Sequence, residues 1–135
     1  MLDDHMAHPL QSQVAGQRQR TSLLEFGLIA ALLCSSTLGW LGLCVLFERH
    51  EAWDCGAYFV VLLPLLTIVA ALTSWRRPLR AWRWPAALAA GQLLGLGITT
   101  GSAPTLGPLS LVGMSVLCAP FFFAAAIAAK RGRAR

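Results

Sequence analysis

Charged residues are scarce in this chain, and three long windows lack them entirely. Only 13% of the 135 residues are charged, against about 25% in a typical soluble domain. No charge lies at positions 26–47, 55–75 or 84–129. A charge at the centre of a bilayer costs at least about 2.5 kcal/mol. The windows therefore argue against a soluble domain and predict segments that lie in lipid.

The window lengths predict four helices. A helix needs about 20 apolar residues to cross a membrane, so the first two windows hold one span each. The third window is about twice that length, and the turn-forming run Gly101-Ser102-Ala103-Pro104 divides it. We predict an all-α membrane protein, a four-transmembrane-helix bundle with spans at 24–47, 55–75, 85–101 and 106–129. This membrane domain of residues 23–129 lies between a flexible tail (1–22) and a basic tail (130–135).

The basic residues predict the orientation. Ten of the eleven Lys and Arg residues fall on one side of these spans, and only Arg49 falls on the other. Because positive loops stay in the cytoplasm, both termini are predicted to be cytoplasmic. The net charge of +5 then reflects topology, and we expect no nucleic-acid partner. Composition rich in Ala, Arg and Leu favours the bacterial inner membrane.

Several signatures of catalysis are missing. The four cysteines form no C-x-x-C pair, and no histidine lies within a predicted span. Redox-active cysteine pairs and haem ligation by membrane histidines are therefore excluded. The loops are short, so we expect no enzymatic activity and no cofactor.

One outer loop contains residue types that bind transition metals. These weak candidate ligands are His50, Glu51, Asp54 and Cys55. We favour the alternative that the loop is an acidic segment reinforcing the topology, and therefore predict no metal site.

Polar side chains within the spans are few. Gln92 is the only side-chain amide there, and in hydrocarbon it should face another helix. The other polar candidates are Ser36, Thr37 and Thr100. They could line a transport path or bond to helix carbonyls, and we favour the structural role.

Two series of small residues recur at every fourth position, which places each series on one helix face. They are Gly27, Ala31, Ser35 and Gly39 in the first span, and Ala87, Gly91, Gly95 and Thr99 in the third. Small residues let membrane helices approach closely. We predict that the first and third spans pack along these two ridges; alternatively, one ridge faces a second copy of the chain.

The loop between the second and third spans, predicted to be cytoplasmic, interleaves arginine with tryptophan, a pattern that favours anionic headgroups. The predicted lipid-binding residues are Arg76, Arg77, Arg80, Arg83, Trp82 and Trp84. Trp53 and Tyr58 are predicted at the opposite interface. Pro64 and Pro120 lie inside the second and fourth spans, where they predict helix kinks.

The preferred function is that of an accessory or assembly subunit, acting through helix packing with another membrane protein or a second copy. A compact homo-oligomeric transporter or channel for a small solute or ion is the first alternative. A membrane immunity protein against a pore-forming toxin is the second. Membrane lipids, including anionic ones, are expected partners.

Overall fold

The structure, a computed structural model, describes residues 4–49, 51–101 and 108–134, with side chains from residues 22 and 112 onward in the first and last ranges. Every regular element in these ranges is helical, which confirms the all-α prediction. The elements are α1 (Asp4–Leu46), a 3-10 turn (Ala52–Asp54), a π-helical turn (Tyr58–Leu62), α2 (Leu63–Arg76), α3 (Arg83–Thr100) and α4 (Pro108–Arg133).

Within the ranges that the structure describes, three segments are long and apolar enough to cross a membrane. They are Ser22–Leu46, Tyr58–Arg76 and Val112–Arg133. Large apolar side chains on their surfaces are exposed, including Leu38, Val60 and Phe123. A soluble monomer rarely exposes such extensive apolar surface, whereas a lipid-facing helix requires it.

Helix α1 begins earlier than the predicted first span. It has 43 residues, or about 65 Å of helix, against about 30 Å of hydrocarbon. Residues 1–22 were predicted to form a flexible tail, whereas α1 begins at Asp4. Residues 4–21 contain four Gln, two Ala and two Arg residues, which are all compatible with a helix. The cytoplasmic location of this segment stays a prediction.

The helices pack most extensively in two pairs, α1 with α3 and α2 with α4. Contacts from α3 to α2 and to α4 are fewer and join the pairs into one bundle. The largest fully buried side chains come from both pairs: Trp40, Trp84, Tyr58, Phe121, Leu88, Leu96 and Met114.

A π-helical turn precedes Pro64. The Leu63 amide donates to the Tyr58 carbonyl, one residue further back than in an α-helix. Pro64 has no amide hydrogen for the Val60 carbonyl, and it lies in the first turn of α2 rather than in its middle. The irregularity predicted at Pro64 thus takes the form of a π turn, while Pro120 does lie inside α4.

Candidate functional site

Hydroxyl groups of α1 bond to the backbone of α3. The Ser36 hydroxyl donates to the Leu88 carbonyl at 2.8 Å. The Thr37 hydroxyl lies 2.9 Å from the carbonyl oxygens of both Leu33 and Gly91. These side chains are buried, so their donors are used in holding two helices together.

Gly91 and Gly95 make this close approach possible. A Cβ atom added at Gly91 would overlap the Leu33 carbonyl oxygen and lie 2.8 Å from the Ser36 Cβ. At Gly95 it would lie 2.8–2.9 Å from Trp40 atoms. Further along α3, the Thr99 hydroxyl accepts from the Trp40 indole at 3.5 Å. The α3 ridge therefore faces α1, and the two helices run in the same direction.

The predicted ridge of α1 is not the face that contacts α3, so this half of the packing prediction is wrong. A Cβ at Gly27 would meet nothing within 4 Å, and Ala31 and Ser35 are exposed. Gly39 faces Leu62 instead: a Cβ atom added at Gly39 would lie 2.7 Å from the Leu62 Cδ1. Small residues alone do not mark the face of α1 that contacts α3. The contacting face carries Ser36, Thr37 and Trp40, whose side chains form hydrogen bonds to α3 as well as packing against it.

A buried polar centre links three elements in the middle of the bundle. The Tyr58 hydroxyl, from the π turn, donates to Gln92 Oε1 on α3 at 2.9 Å. The Cys118 thiol of α4 lies 3.9 Å from the same oxygen. Tyr58 and Gln92 are fully buried, so a network of side chains connects α3 to the α2/α4 pair.

The amide nitrogen of Gln92 has no hydrogen-bond partner. A buried donor without an acceptor costs about 1–3 kcal/mol. Two further hydroxyl groups of α3, those of Thr99 and Thr100, donate to the Leu96 carbonyl of their own helix. Gln92 therefore combines a structural bond with an unused donor.

Three aromatic rings meet above this centre. Trp40 contacts Trp53 and Tyr58 edge to face, with ring centroids 5.5 and 5.7 Å apart. Tyr58 was predicted at the outer interface, but it is fully buried. Its hydroxyl finds an acceptor inside the bundle, which the sequence position did not reveal. The 3-10 turn lies at the end of the bundle, and its first residue, Ala52, is fully buried.

The weak metal candidates do not assemble in the described part of the chain. No group of three or more His, Cys, Asp or Glu residues there could hold a metal ion. Glu51 accepts from the Trp53 indole, Asp54 is exposed and Cys55 is buried. His50 lies outside the described residues. None of the four cysteines, all within the described ranges, forms a disulfide.

Opposite ends of the bundle carry opposite charge. One end holds Glu48, Glu51 and Asp54 beside Arg49. The other end carries a set of cations from the α2–α3 loop and the end of α4: Arg76, Arg77, Arg80, Arg83, Lys130, Arg131 and Arg133. We refer to this second end as the basic end.

Several contacts fix the α2–α3 loop at the basic end. The Trp84 indole donates to the Arg77 carbonyl at 3.2 Å, and the Arg133 guanidinium donates to the Pro78 carbonyl at 3.2 Å. Arg83 pairs with Glu25 of α1 at 3.5 Å. The loop is therefore tied to α1, α3 and α4.

A groove of about 590 Å³ opens between this loop and α4. Its cationic lining residues are Arg80, Lys130 and Arg133, and Trp82 lines it as well. Its remaining lining is apolar: Ala81, Pro85, Phe122, Ala125, Ala126 and Ala129. We call this feature the basic groove.

The basic groove contains only some of the predicted lipid-binding residues. Arg80 and Trp82 line it. Arg76 and Arg77 do not, Arg83 is paired with Glu25, and Trp84 is only 1% exposed. Trp84 is therefore a core residue and not a lipid contact. Lys130 and Arg133 are new members, because the approach of α4 to the loop is a tertiary contact.

These features define an all-α protein with three helices suited to crossing a membrane and a strongly polarised charge distribution. Comparison with known protein families, with curated proteins and with solved structures finds no match. Function is therefore argued from the residues themselves.

Proposed function

We propose that the chain is a four-span accessory or assembly subunit of the bacterial inner membrane, without enzymatic activity. It associates through α1 with another membrane protein or with a second copy of itself. In this proposal α3 is the fourth span and both termini are cytoplasmic.

The packing of α3 supports its assignment as a span. Its 18 residues make about 27 Å of helix, close to the hydrocarbon thickness. It runs alongside the apolar part of α1, and it carries no charge beyond Arg83 at its first position. The basic end is the expected cytoplasmic end, because positive loops remain inside.

The proposed function depends on the exposed small residues Gly27, Ala31 and Ser35 of α1, which we call the outward ridge. Gly27 has open space around it, and Ala31 and Ser35 are exposed on the same face. The Ser35 hydroxyl donates to the Leu32 carbonyl at 3.0 Å, so the ridge presents little unsatisfied polarity. In lipid, such a shallow groove favours packing of another helix.

The internal polar groups support a structural rather than a catalytic role. Ser36 and Thr37 bond to α3, and Tyr58 bonds to Gln92. These three hydroxyl groups thus serve to join helices.

Paired substitutions on α1 test the proposal. Ala31→Leu fills the outward ridge, whereas Ala30→Leu adds the same volume at an exposed neighbouring position. Purification after cross-linking in membranes should show a stoichiometric partner or a dimer, which Ala31→Leu abolishes and Ala30→Leu retains. A chain that is monomeric and unpartnered in native membranes would contradict the proposal.

A compact transporter or channel is the second candidate, and the unpaired amide nitrogen of Gln92 favours it. A buried donor in the bundle centre could bind a small polar solute or ion in transit. Solute flux in proteoliposomes that is lost in Gln92→Leu but retained in Thr67→Val would support it. Thr67 is a suitable control because its hydroxyl bonds only within its own helix, to Leu63.

A further inference from the structure

The basic groove continues into a second groove between α3 and α4. The second groove has a volume of about 240 Å³, and its lining includes Ala89, Leu93, Met114 and Cys118. Phe122 lines both grooves. Because Phe122 lines both, the two grooves adjoin along the α3/α4 seam, and we refer to them together as the lateral cleft.

The lining residues follow one strip of each helix. On the α3 side they are Trp82, Pro85, Ala89 and Leu93, spaced three or four residues apart as neighbours on a helix face are. The strip from Trp82 to Leu93 extends about 16 Å along the helix. On α4, small residues at 125, 126 and 129 keep the cleft open.

Polarity changes along the cleft. Its mouth has the three cations Arg80, Lys130 and Arg133, and no acidic residue is among its described lining. Glu25, the nearest described carboxylate at this end, is paired with Arg83. Away from the mouth the lining is apolar except for Ser115 and Cys118, and it carries no charge. A matching ligand has an anionic head and a hydrocarbon tail.

We propose that this cleft binds one anionic phospholipid. The phosphate lies among Arg80, Lys130 and Arg133, and an acyl chain lies between α3 and α4 past Phe122. Trp82, which is 64% exposed, lies at headgroup depth, where tryptophan is favoured. A free phosphate would use only the mouth and leave the apolar cleft without a ligand.

This site is separate from the outward ridge of α1 and does not depend on the proposed function. It also differs from a diffuse basic surface. The groove between α2 and α4 has a single cationic lining residue, Arg131, whereas three of the seven cations of the basic end line the α3/α4 cleft.

Native mass spectrometry of the full chain in detergent tests the charged mouth. The probes are phosphatidylglycerol and phosphatidylcholine with identical acyl chains. Arg80→Gln/Lys130→Gln should weaken phosphatidylglycerol binding about 30-fold, since each cation near an anionic lipid contributes a factor of about five. Arg76→Gln/Arg77→Gln removes the same charge from the same end but not from the groove, and should leave binding unchanged.

A second pair of variants tests the acyl-chain part of the cleft. Ala126→Phe fills the apolar lining, and Ala90→Phe adds the same ring at an exposed α3 position outside both grooves. Only Ala126→Phe should abolish lipid retention, with all cations intact.

Three outcomes would overturn the site. Equal losses of phosphatidylglycerol binding in Arg80→Gln/Lys130→Gln and in Arg76→Gln/Arg77→Gln would indicate a diffuse electrostatic surface. Unchanged retention in Ala126→Phe would place the acyl chain elsewhere. Displacement of the lipid by soluble glycerol 3-phosphate would indicate a site for small anions instead.

Discussion

The hydroxyl of Tyr58 donates to Oε1 of Gln92 at 2.9 Å, and both side chains are fully buried. The bond joins the π turn before α2 to the middle of α3. It satisfies one end of the amide and leaves the nitrogen unpaired. The Tyr58–Gln92 pair therefore joins two helical elements and also leaves one buried hydrogen-bond donor unused.

A double-mutant cycle can measure the coupling between these side chains. Tyr58→Phe leaves the Gln92 oxygen with only the weak Cys118 thiol donor at 3.9 Å and should destabilise the bundle by about 1 kcal/mol. Gln92→Leu removes the unpaired donor but leaves the Tyr58 hydroxyl without its acceptor. The double variant should therefore be more stable than the sum of the single effects implies. Unfolding by denaturing detergent in mixed micelles gives the free energies.

Thr67→Val is the control for this cycle, because Thr67 bonds only to the Leu63 carbonyl of its own helix at 2.8 Å. It should show no coupling to Gln92→Leu. Additive effects of Tyr58→Phe and Gln92→Leu would contradict a role for the Tyr58–Gln92 bond in joining the helices.

Gly91 should tolerate no side chain. Gly91→Ala places a Cβ against the Leu33 backbone carbonyl, which cannot move as a flexible side chain can. Overpacking of this kind costs about 1–3 kcal/mol, so the melting temperature should fall. Gly97→Ala is the matched control on the same helix, because its Cβ would meet nothing within 4 Å. Equal stability of the two variants would show that α1 and α3 do not approach at Gly91.

Glu48 has a left-handed backbone conformation, with φ of 51°. It lies just after the end of α1. There the Arg49 amide donates to the Cys44 carbonyl at 3.0 Å, which is the pattern of a helix C-cap that favours glycine. Glu48→Gly should raise the unfolding free energy by about 0.5–1 kcal/mol, because glycine adopts this conformation without steric cost. Glu48→Ala keeps the Cβ and should give no such gain. A lower melting temperature for Glu48→Gly than for Glu48→Ala would count against this cap.

Charge-free windows predict the helices well because lipid imposes a one-dimensional rule on length and polarity. The rule predicted the apolar parts of α1, α2 and α4. A second local pattern, small residues at every fourth position, predicted that Gly91 and Gly95 lie on a packing face. The start of α1 at Asp4 was not predicted, because residues 4–21 lack the charge-free apolar window on which the prediction of spans depends.

The partners of each face were harder to predict. Ser36 and Thr37 contact α3 in place of Ala31 and Ser35 because their hydroxyls reach carbonyls of the neighbouring helix. Lys130 and Arg133 join Arg80 in one groove through the approach of α4 to the α2–α3 loop. Both relationships depend on the rotation of packed helices, which a single sequence does not specify.

The membrane topology gives a prediction that tests the fourth span directly. Single cysteines are introduced into a variant without the four native cysteines, at Asp54, Leu79 and Ser102. Asp54 and Leu79 are exposed at opposite ends of the bundle, and Ser102 follows α3 just outside the described residues. In intact bacteria, a membrane-impermeant maleimide should label Asp54→Cys and Ser102→Cys from outside. Leu79→Cys should react only after permeabilisation, because its loop carries four arginines that positive-inside orientation keeps in the cytoplasm. External labelling at Leu79→Cys would reverse the orientation, and protection of Ser102→Cys alone would show that α3 does not cross.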